Sequence, residues 1–221
     1  MIWSAILLTL KLASLTTIVL LLLGIPLSWW LSNTRNVFKP VVETIVAIPL
    51  VLPPTVLGFY LLILMGSNGA LGQFSEFFTG QHLAFTFTGL LIASVLYSLP
   101  FVVQPLQTAF EQLDKKNIDA AYVLGAYPVR VFFTIVLPQA RRGFITAIIL
   151  GFSHTVGEFG VVLMVGGNIP GETQVVSIAI YEMVESLEYE QAHLLSAGLL
   201  FFSFIVLMVV YGFNARHRVR R

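Results

Sequence analysis

Five runs of apolar residues constrain this chain more than any other feature. They cover roughly 9–31, 41–66, 84–109, 143–166 and 192–213. Each is long enough to cross a bilayer, which takes about 20 apolar residues in a helix. Of the 221 residues, 57% are apolar and 10% are charged, against about 25% charged in an ordinary soluble domain. A soluble domain of this size has too little interior to hide so many apolar side chains. In lipid the backbone must satisfy its own hydrogen bonds, so each run reads as a helix. The expected fold class is all-α, integral to the membrane, with about five transmembrane helices.

The first run is expected to be a retained span rather than a secretory signal. It has no basic leading segment and no small-x-small cleavage site, and Trp29 and Trp30 sit at its far end as an aromatic anchor. There is no cysteine, which excludes disulfides and thiolate chemistry. Pro26, Pro49, Pro53, Pro54, Pro100 and Pro105 interrupt three of the runs. Pro53-Pro54 is expected to unwind or kink the second span near its middle.

Lys and Arg set the expected orientation. Arg35 and Lys39 follow run one. Lys115, Lys116, Arg130, Arg141 and Arg142 follow run three. Arg216, Arg218, Arg220 and Arg221 form a basic tail over 214–221. With five spans, 11 of the 12 basic residues share one side. The opposite loops, 67–83 and 167–191, hold no Lys or Arg but hold Glu76, Glu172, Glu182, Glu185, Glu188 and Glu190. The N-terminus is expected outside, and the tail and the 110–142 loop inside. Six spans would break this agreement.

The 110–142 loop carries the most specific pattern. Asp119-Ala120-Ala121-Tyr122-Val123-Leu124-Gly125 is followed by Ile135-Val136-Leu137-Pro138. It reads as a short helix capped by Asp114 or Asn117, a glycine stop at Gly125, and a second helical turn or two ending at Pro138. Ala120, Ala121 and Leu124 are expected on one exposed face, where small side chains let another surface approach closely. That face suits docking into a groove; an ordinary helix on the membrane surface is the plainer alternative.

This pattern resembles the EAA…G…I-LP coupling loop of ABC importer membrane subunits. The spacing matches throughout, and Asp119 stands where the family usually has Glu. Two further stretches are similar to the molybdate and sulfate importer permeases: Ile48 to Gly58, with Pro53-Pro54-Thr55, and Gly157-Glu158-Phe159-Gly160 continuing to Gly166-Gly167-Asn168-Ile169-Pro170-Gly171-Glu172-Thr173. The second is nearer the molybdate branch. The resemblance implies one transmembrane domain over 9–213, of the type I importer fold, in a bacterial inner membrane. It implies a homodimer, two cytoplasmic ATPase subunits docked on Asp119, Ala120, Ala121, Leu124, Gly125, Ile135, Leu137 and Pro138, and an external binding protein. The chain has no G-x-x-x-x-G-K-[ST] and is expected not to hydrolyse ATP itself. Sulfate, thiosulfate or tungstate import is the nearer alternative, and a non-transporting membrane anchor or assembly protein is the more distant one.

A path for a doubly charged anion needs polar, non-acidic groups, such as hydroxyls and backbone N–H groups at broken helix ends. Pro53, Pro54, Thr55, Ser153, Thr155 and Glu158 are the pathway or gate candidates. No Lys or Arg is expected inside a span. Glu158 is the one acidic residue well inside a run, which marks it for attention. It reads as a hydrogen-bonded structural carboxylate, a gate that repels anions, or a contact for the binding protein. His154, one turn earlier, is placed to bond it. No second His or Cys accompanies them, so neither a metal site nor any cofactor is expected. Glu182, Glu185 and Glu188 recur at three-residue spacing. They read as a solvated helix face or as a dock for basic residues of the binding protein. The basic tail anchors topology and attracts membrane lipid; nothing points to nucleic acid.

Overall fold

The computed structural model describes residues 2–215 and is helical throughout its described elements. They are α1 (Ile2–Asn33), α2 (Lys39–Val51), α3 (Pro54–Met65), α4 (Ala70–Thr79), α5 (Phe87–Glu111), α6 (Lys115–Val123), α7 (Pro128–Val131), a π-helical turn (Phe132–Val136), α8 (Leu137–Gly157), α9 (Gly160–Gly166), α10 (Val176–Glu185) and α11 (Tyr189–Ala215). The arginines of the basic tail, 216–221, lie outside the described residues. Four helical stretches are long and apolar enough to cross a membrane: α1, α5, residues 128–157 and residues 189–210. The pair α2 and α3 adds a fifth if it makes one crossing.

Contacts with α5 show that it does. At the Glu111 end of α5, Lys39 Nζ lies 3.6 Å from Glu111, and Gln107 Nε2 donates to Glu43 Oε1 at 2.7 Å. At the Phe87 end, Ala84 N donates to Met65 O, and Met65 packs with Ala93. So α2 starts beside one end of α5 and α3 finishes beside the other. Between them the chain bends by 111°. The cause is local: Leu52 precedes a proline and is extended, as is Pro53, and neither proline has an N–H to continue the helix.

The bundle's core is the packing of α1 on α5 and α8. Leu20, Val102, Leu106, Phe110 and Ala147 are all buried there. Helices α5 and α8 approach so closely at Gly143 that a Cβ on it would lie 2.2 Å from the Ala109 Cβ. We therefore expect Gly143→Val to force the helices apart and destabilise the fold by about 3 kcal/mol, the upper range for overpacking. The yield and melting temperature of detergent-solubilised protein read this. A variant as stable as the parent would contradict the crossing.

Three expectations are corrected. The run at 143–166 is not one helix: helical structure runs from Pro128 to Gly157, breaks at Glu158-Phe159, and resumes in the short α9. Pro138 ends nothing: it follows a π-helical turn, in which Leu137 N donates to Phe132 O, and the helix runs on through it into α8. Lys11 is the exception to the expectation that no span holds a Lys or Arg: it lies inside α1. Its ammonium stands 4.4 Å from the centre of the Phe87 ring, at the level where α5 begins. The preceding turns of α1 therefore extend past that end of α5, where Ala5 packs on Val176 and Ala179 of α10.

Candidate functional site: a docking loop and a cavity joined by one helix

Helix α6 starts at Asp114, whose Oδ1 accepts from Lys116 N at 3.1 Å. Of the two expected caps, Asp114 is the one used; Asn117 donates its own amide to Asp114 Oδ2 at 3.2 Å. Gly125 adopts φ +78°, the left-handed conformation that glycine takes without penalty. Gly125 N donates to Tyr122 O, and Ala126 N to Ala121 O. That bond pair is the Schellman motif.

The expected docking face is partly redrawn. Asp119, Ala120, Val123 and Leu124 are exposed, the last at 86%. Ala121 instead turns inward with Ala126 and packs on the core cluster. Helical spacing put Ala120, Ala121 and Leu124 on one face, but Ile118 and Leu113 are buried, and this rotates Ala121 toward the bundle. Ile135 and Leu137 are half-buried against the same cluster, and Pro138 is exposed. The loop is thus packed into the ends of α5 and α8 through Leu113, Ile118, Val131 and Val136, beside Phe110 and Phe144.

At the other end of α8 a cavity of about 510 Å³ opens where the helix breaks. Its walls include Pro54, Thr55, Tyr97, Ser153, His154 and Glu158. Two helix breaks meet there, one before α3 and one after α8. Thr55 lies in the first turn of α3, where an N–H lacks an intrahelical acceptor. Pro53 is exposed and outside the cavity wall, and Thr155 is buried away from it. Thr155 Oγ1 meets Ser98 Oγ at 3.1 Å and donates to Gly151 O at 3.0 Å.

Glu158 is 3% exposed; the buried Ser94 hydroxyl lies beside its carboxyl, and neither side chain has another hydrogen-bond partner among the described residues. The expected His154 bond is absent. That pairing assumed a continuous helix, but α8 ends at Gly157 and Glu158 is extended, so its side chain leaves the helix face. His154 Nδ1 instead lies 2.9 Å from Ser98 Oγ, with its ring stacked 3.8 Å from Phe101. Glu158 is held through its backbone, its carbonyl accepting from Ser177 Oγ at 2.6 Å. Ser177 belongs to α10, whose Val176 N donates to Thr9 Oγ1 of α1 at 2.8 Å. Helix α10 is therefore tied directly to the break. Tyr97 and Ser98 were missed from sequence; the polar positions Ser94 and Ser98, one turn apart within run three, were the available signal.

The glycine-rich loop before α10 folds on itself. Thr173 Oγ1 donates to Gly166 O at 2.7 Å and accepts from Ile169 N, while Gln174 bonds both Asn168 and Glu182. Glu185 Oε1 accepts from Tyr181 Oη at 2.5 Å, which raises the phenol above its ordinary pKa. Glu188 lies beyond the helix, yet it lines one small cavity with Glu182, Gln174 and Gln191, which Glu185 does not join. Leu187 at φ +62° ends α10, and Glu188 begins the turn into α11. Among the described residues no group of three His, Cys, Asp or Glu side chains is gathered to hold a metal.

Comparison with known proteins follows this geometry. Over 97% of its length the chain matches a membrane subunit of a bacterial ABC transporter involved in alginate import, with a TM-score of 0.70, 18% identity and 78% of that subunit covered. An amino acid ABC transporter subunit matches with a TM-score of 0.64 and 93% of its length covered. The fold is that of ABC importer permeases. By sequence, the chain is 58% identical to the molybdenum transport system permease protein ModB of Azotobacter vinelandii, over 95% of this chain and 92% of that one. It is 38% identical to the protein of the same name in Escherichia coli K12, over 83% and 80%. The sulfate transport system permease protein CysT of Synechocystis is 33% identical over 85% and 65%. The model of binding-protein-dependent transport system inner membrane components matches residues 21–221. The chain belongs to the family of membrane components of binding-protein-dependent transport systems.

Proposed function

We propose that this chain is the permease subunit of an ATP-driven molybdate importer of the inner membrane, working as a homodimer with two ATPase subunits inside and a binding protein outside. The 58% identity to a molybdenum permease, against 33% to a sulfate permease, supports the anion. One observation carries the coupling. The exposed Ala120–Leu124 face and the cavity at Glu158 stand at opposite ends of α8, a 21-residue helix about 31 Å long. A push on α6 reaches α5 and α8 through Ile118, Val131 and Val136. A rigid helix then carries it to the break. Two chains related by a two-fold axis would face each other across one path.

The basic residues put the 110–142 loop inside. The cavity then lies in the outer half, below α10, where Glu182 and Glu185 are placed to meet basic residues of a binding protein. Thr55 and Tyr97 offer hydroxyls to an oxyanion, while the Ser153 hydroxyl is donated to Ile149 O at 2.7 Å. With no Lys or Arg in the cavity wall, the path holds the anion weakly and releases it readily. ATP hydrolysis belongs to the partner subunits.

The test is uptake of labelled molybdate into proteoliposomes that hold the permease and its ATPase, with binding protein and ATP supplied. We expect ATP-dependent uptake that tungstate competes for and sulfate competes for weakly. Uptake of sulfate in preference to molybdate would move the chain to the sulfate branch, and ATP-dependent uptake of neither anion would defeat the transport reading.

A further inference from the structure

Helix α4 presents an apolar face that nothing in the chain covers. Leu71, Phe74 and Phe78 recur at helical spacing, and Phe77 flanks them. Their exposures are 40%, 66%, 68% and 84% for Leu71, Phe74, Phe78 and Phe77. The rings gather on one another, with Phe74 to Phe78 at 4.9 Å and Phe77 to Phe78 at 5.1 Å between centroids. The opposite side carries Gln73, Glu76 and Thr79, with Glu76 reaching His82. Gly69 N bonds Gly66 O at the start, and the left-handed Gly80 closes the end.

The helix is tethered at both ends to membrane spans. It begins five residues after α3 ends at Met65 and finishes eight residues before α5 begins at Phe87. Ala84 N to Met65 O and Phe85 N to Val165 O sew its far end to the same level of the bundle. That level is the one Lys11 marks over Phe87, so α4 is held where hydrocarbon meets headgroups. A specific protein partner needs about 800 Å² on each side. Four side chains on a ten-residue helix fall well short, whereas lipid requires no matching shape. An amphipathic helix of this kind lies in the interface plane with its apolar face among the acyl chains.

We propose that α4 is an interfacial lipid anchor, with Leu71, Phe74, Phe77 and Phe78 inserted into the outer leaflet. It fixes the outer end of α3, whose inner end opens into the cavity. The 67–83 loop has no Lys or Arg, so the anchor works by apolar burial and not by attraction to anionic headgroups.

The chain has no cysteine, which makes the test direct. Phe74→Cys, Phe78→Cys and Glu76→Cys are each labelled with a nitroxide in the full chain. The chains are reconstituted in phosphatidylcholine vesicles, with and without phosphatidylglycerol. Collision with oxygen reports lipid and collision with a nickel chelate reports water. We expect the oxygen-to-nickel ratio at positions 74 and 78 to exceed that at 76 several-fold in both lipids. Equal nickel access at all three sites would overturn the proposal, as would labels at 74 and 78 that neither reagent reaches, the mark of a covering protein. A contrast that appears only with phosphatidylglycerol would overturn the apolar basis. Two apolar-face sites guard against one substitution that fails to fold, and molybdate uptake by the unlabelled parent chain is read separately, so a failed anchor and a failed transport reading are told apart.

Discussion

Replacing Gly125 with valine is expected to remove transport and co-purification of the ATPase together, by about a hundredfold. At φ +78° an L residue pays roughly 1–2 kcal/mol for the left-handed conformation, and a β-branched side chain pays more. A Cβ there would meet nothing within 4 Å, so crowding inside the chain is not the cause. The loss would come from opening the Schellman turn that orients Ala120 and Leu124, and from adding bulk to a surface that must fit a groove. Gly125→Asn separates the two, because Asn tolerates the left-handed region. If the turn alone matters, Asn restores most of the activity; if bareness matters, Asn fails as valine does. Wild-type assembly and uptake in Gly125→Val would remove the loop from the coupling mechanism. Binding of the ATPase subunits, followed by pull-down, reads assembly without relying on transport.

Glu158→Gln is expected to keep the fold and lose the barrier. The carboxyl is buried with only the Ser94 hydroxyl beside it, an arrangement that costs stability and is not retained for packing. An amide of the same shape costs less, so the melting temperature should hold or rise. As a gate, a fully charged carboxylate opposes a doubly charged anion at about 6 Å by roughly 6 kcal/mol at an effective dielectric of 20, and burial cuts that opposition because it disfavours the charged form. Since about 1.4 kcal/mol is tenfold, losing half of that opposition should raise the leak of preloaded oxyanion from vesicles without ATP about a hundredfold in the variant. Steady-state accumulation should fall while ATP hydrolysis continues. Tight vesicles and wild-type accumulation would assign Glu158 a structural place only.

The parts legible in the sequence were those fixed by local chemistry. Proline has no N–H and restricts the residue before it, so Pro53-Pro54 announced the 111° bend wherever the chain lay. The left-handed Gly125 followed from its position after an amphipathic turn. The second break was harder to see. Gly157-Glu158-Phe159-Gly160 sits inside an apolar run, and the helix stops there because α9 packs Val161 and Val165 against Ala93, Leu61 and Met65, which lie far away in the chain. Missing that stop produced the wrong His154–Glu158 pair. The same error, assuming a helix continues, put Glu188 on one helix face with Glu182 and Glu185, although Leu187 ends α10 and Glu188 meets Glu182 only across the turn. Ala121 shows a further limit. Spacing places residues on a face but does not say which face turns inward, and here the burial of Ile118 decides it.

The account rests on the coupling face being in the cytoplasm while the α10 side is outside. Leu124 is 86% exposed and Glu172 is exposed in the loop before α10, so both are open to a membrane-impermeant maleimide once replaced by cysteine. In intact cells that lack the ATPase subunits we predict labelling of Glu172→Cys but not of Leu124→Cys, with Leu124→Cys labelled only after permeabilisation. Labelling of Leu124→Cys in intact cells would place the loop where there is no ATP, and would contradict the topology and the mechanism together.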